Sequence, residues 1–345
     1  MAIEIIATGR AIPPTRLTND DLAMKLDTSD EWIRSHTGIC ARHIADEDTA
    51  CSNLALEAAR QALTMVVQQE GGSGNETQDL VDVALTLDVI ILGTATPDYL
   101  GCPSTACVVQ DKLGARNAAA LDITAGCSGF IYGLEIAAGL LGTGSRRKRA
   151  LVIGSEILSR FVDWTDRGMC ILFGDGAGAA IVEKTENPGL TKRGLLRTIL
   201  GADGSGTEHL IMRRGGSRNP YKTGELVGVP PHIEMNGQAV YNFAVKRVTE
   251  TIEKLLSQEN ITIDDVSRIV PHQANARIVQ AAGKRLGIPE EKFFLNIKEY
   301  ANTSAASIPI ALDELNRAGS LQKGDLIMTI GFGGGLTYGG NLIIW

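Results

Sequence analysis

A chain of 345 residues exceeds the roughly 250–300 at which a single core stops growing, so two domains or one large two-lobed unit are expected. With 44% hydrophobic and 21% charged residues and 39 glycines, it reads as a globular chain with many tight turns and close backbone contacts. The net charge of −7 argues against a general nucleic-acid binder, which would carry a basic face. The most apolar stretch, Ala118 to Gly142, is interrupted by Asp122 and Glu135 and reads as core, not as a membrane span. Cys40, Cys51, Cys102, Cys107, Cys127 and Cys170 form no CxxC pair, and no basic-then-apolar leader opens the sequence; free thiols in a reducing cytoplasm fit best.

In chain order, Met1 to Thr8 reads as a strand and Pro13-Pro14 as a loop, followed by a short helical or turn segment around Thr28 to Arg34 that carries Trp32. Leu54, Ala58, Ala62 and Val66 recur at the spacing of an amphipathic helix. Gly71 to Asp79 is polar and glycine-rich, a surface loop. Short buried strands then alternate with helices: strand Val89–Leu92, helix Ser104–Leu113, strand Ala119–Thr124, helix Ser128–Leu141 and strand Ala150–Ile153. Such alternation predicts α/β layering. The run Arg146 to Arg149 is assigned to a solvated loop with no chemical role.

The first half is expected to close near residue 185, and residues 186–345 repeat its style. Strand Leu195–Gly201, helix Ala239–Leu256, strand Arg268–Val270, helices Gln273–Leu286 and Ser304–Leu315, and strands Leu326–Ile330 and Asn341–Ile344 make up the second half. No residue-level repeat is visible, yet the order of elements suggests two similar halves.

The chemistry is sought where strands turn into helices. Cys127, in Gly126-Cys127-Ser128-Gly129-Phe130, sits at such a turn, where unsatisfied N–H groups and the helix dipole favour thiolate over thiol. His272 in Pro271-His272-Gln273-Ala274-Asn275 follows a strand end, where α/β sites gather, although a lone histidine is more often structural. Asn302 precedes a serine-rich helical stretch, where the default role is an N-cap. Gly333-Gly334-Gly335 lets backbone N–H groups approach a ligand, the alternative being a tight turn.

Taken together, the phrases GCSGF, PHQANARI, NTSAAS and FGGG, in this order, resemble the thiolase superfamily, and within it the β-ketoacyl-acyl carrier protein synthase III family. The resemblance runs from Ser29-Asp30-Glu31-Trp32-Ile33 through Phe173-Gly174-Asp175-Gly176 to the C-terminus. It implies a five-layer αβαβα fold of two similar halves, a homodimer, no metal or redox cofactor, and a decarboxylating Claisen condensation between an acyl-CoA and a malonyl-acyl carrier protein. Cys127 would carry the acyl group, His272 and Asn302 would stabilise the malonyl enolate, and the N–H groups of Cys127 and Gly334 would hold the oxyanion. By the same resemblance Trp32 and Arg167 would sandwich the CoA adenine, Asn275 would touch the pantetheine arm, and Phe332 would stand beside the cysteine. Arg277, Lys284 and Arg285 would form the docking patch for an acidic carrier protein.

Departures from the family pattern carry expectations of their own. His36 stands where many relatives have arginine, which makes phosphate contact there weaker or pH-dependent. Cys102 stands where short-chain enzymes close the acyl pocket with phenylalanine, so a primer longer than acetyl is expected. Tyr300-Ala301 replaces a His-Gly, and Asn242 replaces a carrier-binding lysine. Competing readings are an acyltransferase or condensing enzyme of secondary metabolism using the same Cys127, and a catalytically inactive binding homologue. A dinucleotide-binding reading of Gly174 to Gly178 fails because Ala179 to Val182 reads as a strand where that fingerprint needs a helix.

Overall fold

The structure, a computed structural model, describes residues 2–142, 144–185, 193–222 and 232–345. After β1 (Ala2–Ala11), the short antiparallel pair β2 (Thr15–Thr18) and β3 (Ala41–Ile44) brackets α1 (Asn19–Ala23) and α2 (Asp30–Thr37). The chain continues through α3 (Cys51–Glu70), α4 (Glu76–Ala84), β4 (Val89–Gly93), α5 (Thr105–Leu113), β5 (Ala119–Ile123), α6 (Gly129–Leu141), β6 (Arg149–Glu156), α7 (Arg167–Cys170) and β7 (Gly176–Thr185). Their five-stranded sheet has the order β1-β7-β6-β4-β5, antiparallel at β1–β7–β6 and parallel at β6–β4–β5.

The second half supplies β8 (Gly194–Ala202), the small pair β9 (Leu210–Met212) and β10 (Ile233–Met235), α8 (Gly237–Glu259), β11 (Arg268–Pro271), α9 (Ala276–Leu286), α10 (Ile297–Tyr300), α11 (Ser307–Arg317), β12 (Leu326–Gly333) and β13 (Thr337–Ile344). Its sheet, read β8-β13-β12-β11, has two antiparallel pairings followed by a parallel one. That is the first sheet's pattern without its outer strand, whose place is marked by a single parallel bridge between Ile269 and Phe293. The repeat is one of topology, which is why no residue-level repeat betrays it.

Strand alternation builds the layers. In β4, Ile90 and Leu92 face a core shared with Ala55, Ala59 and Leu63 of α3 and Val109 of α5. Val89 and Ile91 face the other way, onto Phe130, Ile131 and Leu134 of α6 and Ile308, Leu312 and Leu315 of α11. That same core includes Val270, Ile327 and Ile343, so α6 and α11 lie between the two sheets. On the far side, Ile269, Met328 and Leu342 pack under Val248 and Ile252 of α8 and Ile278 and Ala282 of α9. The result is the five-layer αβαβα arrangement. Each fully buried Leu, Ile or Phe in these cores contributes about 1.5–3 kcal/mol.

Three sequence expectations change. The polar stretch Gly71–Asp79 already contains the start of α4: Asn75 caps it, accepting the Gln78 N–H at 3.4 Å, and Asp79 turns inward to accept from Ser73 and Gly74. Arg149, expected in solvent, is buried at the start of β6, where it donates to Glu183 at 2.7 Å and to Glu70 at 2.8 Å. Two carboxylates beside the first residue of this interior strand hold it there. The helix expected from Gln273 begins at Ala276, because the Asn275 side chain caps it by accepting the Arg277 N–H at 2.9 Å. Met1 and the boundary at residue 186 lie outside the described residues.

Candidate active site

Cys127 follows β5 in a 3-10 turn, Gly126–Ser128, that runs directly into α6. Gly126 has φ 52°, a conformation glycine adopts without strain. Its α-carbon faces the end of β12: a side chain there would lie 2.6 Å from the Gly334 nitrogen, and one at Gly333 would strike the Cys127 nitrogen. Thr337 donates to the Ala125 carbonyl at 2.7 Å and pins the turn. Cys127 is half-buried and lines two cavities, and the burial of its sulfur pushes the thiol up to about 12. The Ser304 hydroxyl and the Cys127 N–H pull the other way without overcoming burial. The resting group is therefore a thiol, opposite to the thiolate expected from the helix start alone.

The second junction, after β11, carries His272, 1% exposed, with its N–H on the Ile330 carbonyl at 2.7 Å. Its Nδ1 lies 2.7 Å from the Ser307 hydroxyl, which also receives the Gln273 N–H at 3.4 Å. With Gln273 supplying one proton to the oxygen, we assign the hydroxyl's own proton to the Nδ1 bond and the imidazole proton to Nε2. Burial alone holds the ring down at about 3, so it is neutral at physiological pH. His272 is thus built as a neutral hydrogen-bond donor. Phe332 meets it edge-on at 5.4 Å.

Asn302 is held by a parallel bridge to Phe173, and its Oδ1 accepts the Ser304 N–H at 2.9 Å. An N–H can only donate, so this bond fixes the amide orientation and leaves Nδ2 as a donor. The cap positions fall to Thr303 and Ala306, so Asn302 is not the N-cap expected of it; its oxygen closes a local turn while the nitrogen stays available. Asn302 leads into the 3-10 turn Ser304–Ala306 and then α11, the same design as Cys127, its own turn and α6. The turn-opening residue has positive φ in both, 52° at Gly126 and 48° at Ser304.

Two cavities meet at Cys127. One, ≈ 280 Å³, is lined by Cys127, His272, Asn302 and Phe332 and leads past Asn275 and Arg277 to Trp32 and His36. The other, ≈ 350 Å³, is mainly apolar, with Leu158, Phe173, Leu210, Ile211, Met212 and Ile233 as walls and Cys127, Ser304 and Gly334 at its end. Sequence reasoning missed this second lining, because its residues come from separate elements with no shared motif. Cys102, expected to gauge acyl length, is exposed on the loop between β4 and α5 and lines neither cavity of its own chain.

At the mouth, the Arg167 guanidinium stands 5.5 Å from the Trp32 ring centroid, and His36 stacks on the same indole at 4.3 Å. A ring sandwiched between Trp32 and Arg167 would need about 7 Å, two van der Waals contacts. The expected sandwich is therefore closed, the cation resting against the indole and donating to the Asp27 carbonyl at 2.7 Å. The His36 Nδ1–H donates to the Trp32 carbonyl at 2.7 Å, which leaves Nε2 for any ligand. Asn275 ties the helices together by donating to the His36 carbonyl at 3.1 Å. Arg277, Lys284 and Arg285 are exposed along α9, and among the described residues none forms an ion pair.

A thiol that lines one cavity with a histidine and an asparagine, on two fused α/β halves, is the arrangement of an acyl-transferring condensing enzyme of the thiolase fold. Residues 121–204 match the family model for 3-oxoacyl-[acyl-carrier-protein (ACP)] synthase III, and residues 256–345 match that of its C-terminal region. A β-ketoacyl-[acyl-carrier-protein] synthase III of Natranaerobius thermophilus is 49% identical over 343 residues, 99% of each chain. The crystal structure of 3-oxoacyl-[acyl-carrier-protein] synthase III from Aquifex aeolicus superposes with a TM-score of 0.84 at 41% identity, covering 99% of this chain and 100% of that one. The priming β-ketosynthase of the R1128 polyketide biosynthetic pathway superposes at 0.86 with 31% identity, covering 99% and 96%. The chain belongs to the β-ketoacyl-acyl carrier protein synthase III family, acyltransferases that initiate fatty acid synthesis.

Proposed function

We propose that Cys127 accepts the acyl group of an acyl-CoA and that His272 and Asn302 activate a malonyl-acyl carrier protein for condensation with it. The observation that carries this reading is the pair of locked donors, Nε2–H of His272 and Nδ2–H of Asn302, lining one cavity with the sulfur. As carbon dioxide leaves the malonyl group, negative charge develops on the thioester oxygen. Neutral preorganised donors stabilise that charge without delivering a proton that would quench the carbanion. The carbanion then attacks the acyl carbonyl on Cys127, whose oxygen the N–H groups of Cys127 and Gly334 receive; collapse of that intermediate expels the sulfur. Thiol, imidazole, amide and backbone N–H suffice for every step, so the reading invokes no cofactor.

The apolar cavity behind Cys127 supports a primer longer than acetyl, because its ≈ 350 Å³ lies among Leu158, Leu210 and Ile233. Cys102 acts on chain length only if a second copy brings its loop to a pocket. The exposed Tyr99 and Leu100 on that loop support a homodimer. Arg277, Lys284 and Arg285, at the cavity mouth and along α9, support carrier-protein docking on a chain of net charge −7. Six free cysteines support a reducing, cytoplasmic setting, and no helix among the described residues is long and apolar enough to cross a membrane. We further propose that residues 1–185 and 186–345 form the two halves. The likeness to a priming polyketide enzyme favours, as a second reading, condensation in a specialised pathway. Mass measurement of the intact protein after incubation with acyl-CoAs of increasing length tests the assignment. A covalent acyl adduct on wild type and none on Cys127→Ser is expected, and an adduct on the variant would refute it.

A further inference from the structure

Besides Cys127 itself, the described residues that line both the corridor and the apolar chamber are Phe173 and Leu210. Neither has a task in the condensation chemistry. With the sulfur they form the boundary where one cavity gives way to the other.

The two are mounted differently. Phe173 is 5% exposed and fixed to the scaffold: the Gly174 N–H donates to the Asn302 carbonyl at 3.0 Å, and the Asn302 N–H donates to the Leu172 carbonyl at 2.9 Å. Leu210, half-buried, opens β9, which among the described residues pairs only with β10 and joins neither large sheet. Leu210 lies opposite Met235 in that pair, and Met212 lies opposite Ile233. Strand alternation puts these four side chains on one face. Met212 and Ile233 line the chamber, Met235 the corridor, and Leu210 both, so the pair of strands roofs the site with apolar groups. Between Ile233 and Met235, Glu234 points the other way and accepts from Arg213 at 2.8 Å. Leu210 also covers Gly334. A side chain built on that glycine would meet the Leu210 carbonyl oxygen at 3.6 Å and two Leu210 side-chain carbons at 3.7 and 3.8 Å.

An acyl thioester whose oxygen is held by two N–H groups is open to any nucleophile that reaches its carbon, water included. Hydrolysis would add the water oxygen to that carbon and break the bond to sulfur. The electron pair of that bond and one water proton would return to Cys127, and the acyl group would leave as a carboxylic acid. Keeping water out prevents this side reaction while the acyl-enzyme waits for its second substrate. We propose that Leu210 sets the acceptor specificity of acylated Cys127: its side chain, lying over Gly334 at the junction of the cavities, excludes water from the thioester, so that the malonyl-derived carbon is the nucleophile that arrives.

This rests on the reading of Cys127 as the acylated residue, and the experiment separates the two. Wild type, Leu210→Ala, Leu210→Met and Met212→Ala are acylated with one acyl-CoA and freed of excess donor. Intact mass then follows the adduct without malonyl-acyl carrier protein, and condensation is started by adding it. Leu210→Ala is expected to take up the full adduct and to lose it as free carboxylic acid about 10-fold faster than wild type, the scale on which an apolar pocket wall discriminates. Its condensation rate should change less than its hydrolysis rate, so a larger share of acyl groups is lost to water. Leu210→Met, which conserves apolar volume, should recover the wild-type lifetime. Met212→Ala loosens the same strand but opens the chamber alone, and should keep that lifetime too. Leu210→Val, a one-methylene truncation, carries the same expectation in smaller measure where alanine unseats the strand. No adduct on wild-type Cys127 would sink the site assignment itself. A wild-type adduct whose lifetime is unchanged by Leu210→Ala would overturn the water-excluding role alone, as would equal acceleration in Met212→Ala or a folded Leu210→Ala that fails to acylate.

Discussion

Replacing Ser307 with alanine removes the group that sets the His272 tautomer. The side chain of Ser307 opens α11 and donates to Nδ1 across 2.7 Å. Without it, a buried acceptor is left unpaired, at a cost of about 1–3 kcal/mol, unless the imidazole proton moves from Nε2 to Nδ1. Either outcome reduces the population that presents N–H to the cavity, by about tenfold for each 1.4 kcal/mol. Loss of a preorganised donor costs about 10²–10³ in rate, which sets the ceiling. Ser307→Ala is therefore expected to lower decarboxylation and condensation about 10- to 100-fold while the burst of CoA release from acyl-CoA stays at the wild-type rate. Stopped-flow acylation and a radiolabelled malonyl decarboxylation assay read the two steps separately. Ser307→Thr, which keeps the hydroxyl, should recover most of the loss, and adding Ser307→Ala to His272→Ala should cost nothing further. Unchanged decarboxylation in Ser307→Ala, or an equal loss in both steps, would refute the tautomer argument.

The depressed His272 makes an acid-stability prediction. The unfolded chain binds a proton below about 6.5 while the folded ring stays neutral down to about 3, so stability is lost as pH falls through that interval. The loss is about 2 kcal/mol between pH 6.5 and 5, and about 5 kcal/mol over the whole interval. Denaturant titrations of wild type and His272→Gln should diverge by these amounts, and a pH-independent difference would contradict the burial argument. Leu158→Phe should shorten the apolar cavity and shift acyl-CoA preference toward shorter primers by roughly 10-fold or more in kcat/KM ratio; an unchanged chain-length profile would mean the primer lies elsewhere. Arg277→Glu with Lys284→Glu should raise KM for the carrier substrate and weaken its salt dependence, leaving acylation by acyl-CoA intact. Equal salt slopes in wild type and variant would exclude α9 as the docking face.

Much of the architecture was legible because buried strands announce themselves. Val89 to Gly93 is buried on both faces, so its unbroken apolar run marked a central strand. Leu54, Ala58, Ala62 and Val66 marked the buried stripe of α3. Cys127, His272 and Asn302, which line one cavity, were picked out by the phrases around them, each short enough to recognise locally. The role of Ser307 was not: it ends the phrase NTSAAS, but its partner His272 lies 35 residues away, a pairing that only the fold brings about. Arg149 was misplaced for the same reason. Its partner Glu70 is 79 residues away, and charge runs are usually solvated. Cys102, matched by position to a family role at the acyl pocket, lies outside both cavities of its own chain, which no motif around it could have told.

The meeting of the two cavities at a single sulfur has a kinetic consequence. If the acyl chain parks in the apolar chamber, both the departing CoA and the incoming carrier arm must pass the same doorway at Trp32 and Arg277. Traffic through one door is sequential, so double-displacement kinetics follow from the layout, and each donor in excess should block the other. Free CoA would then govern the pace of chain initiation by occupying the corridor the malonyl arm needs, even when every enzyme molecule already carries its primer.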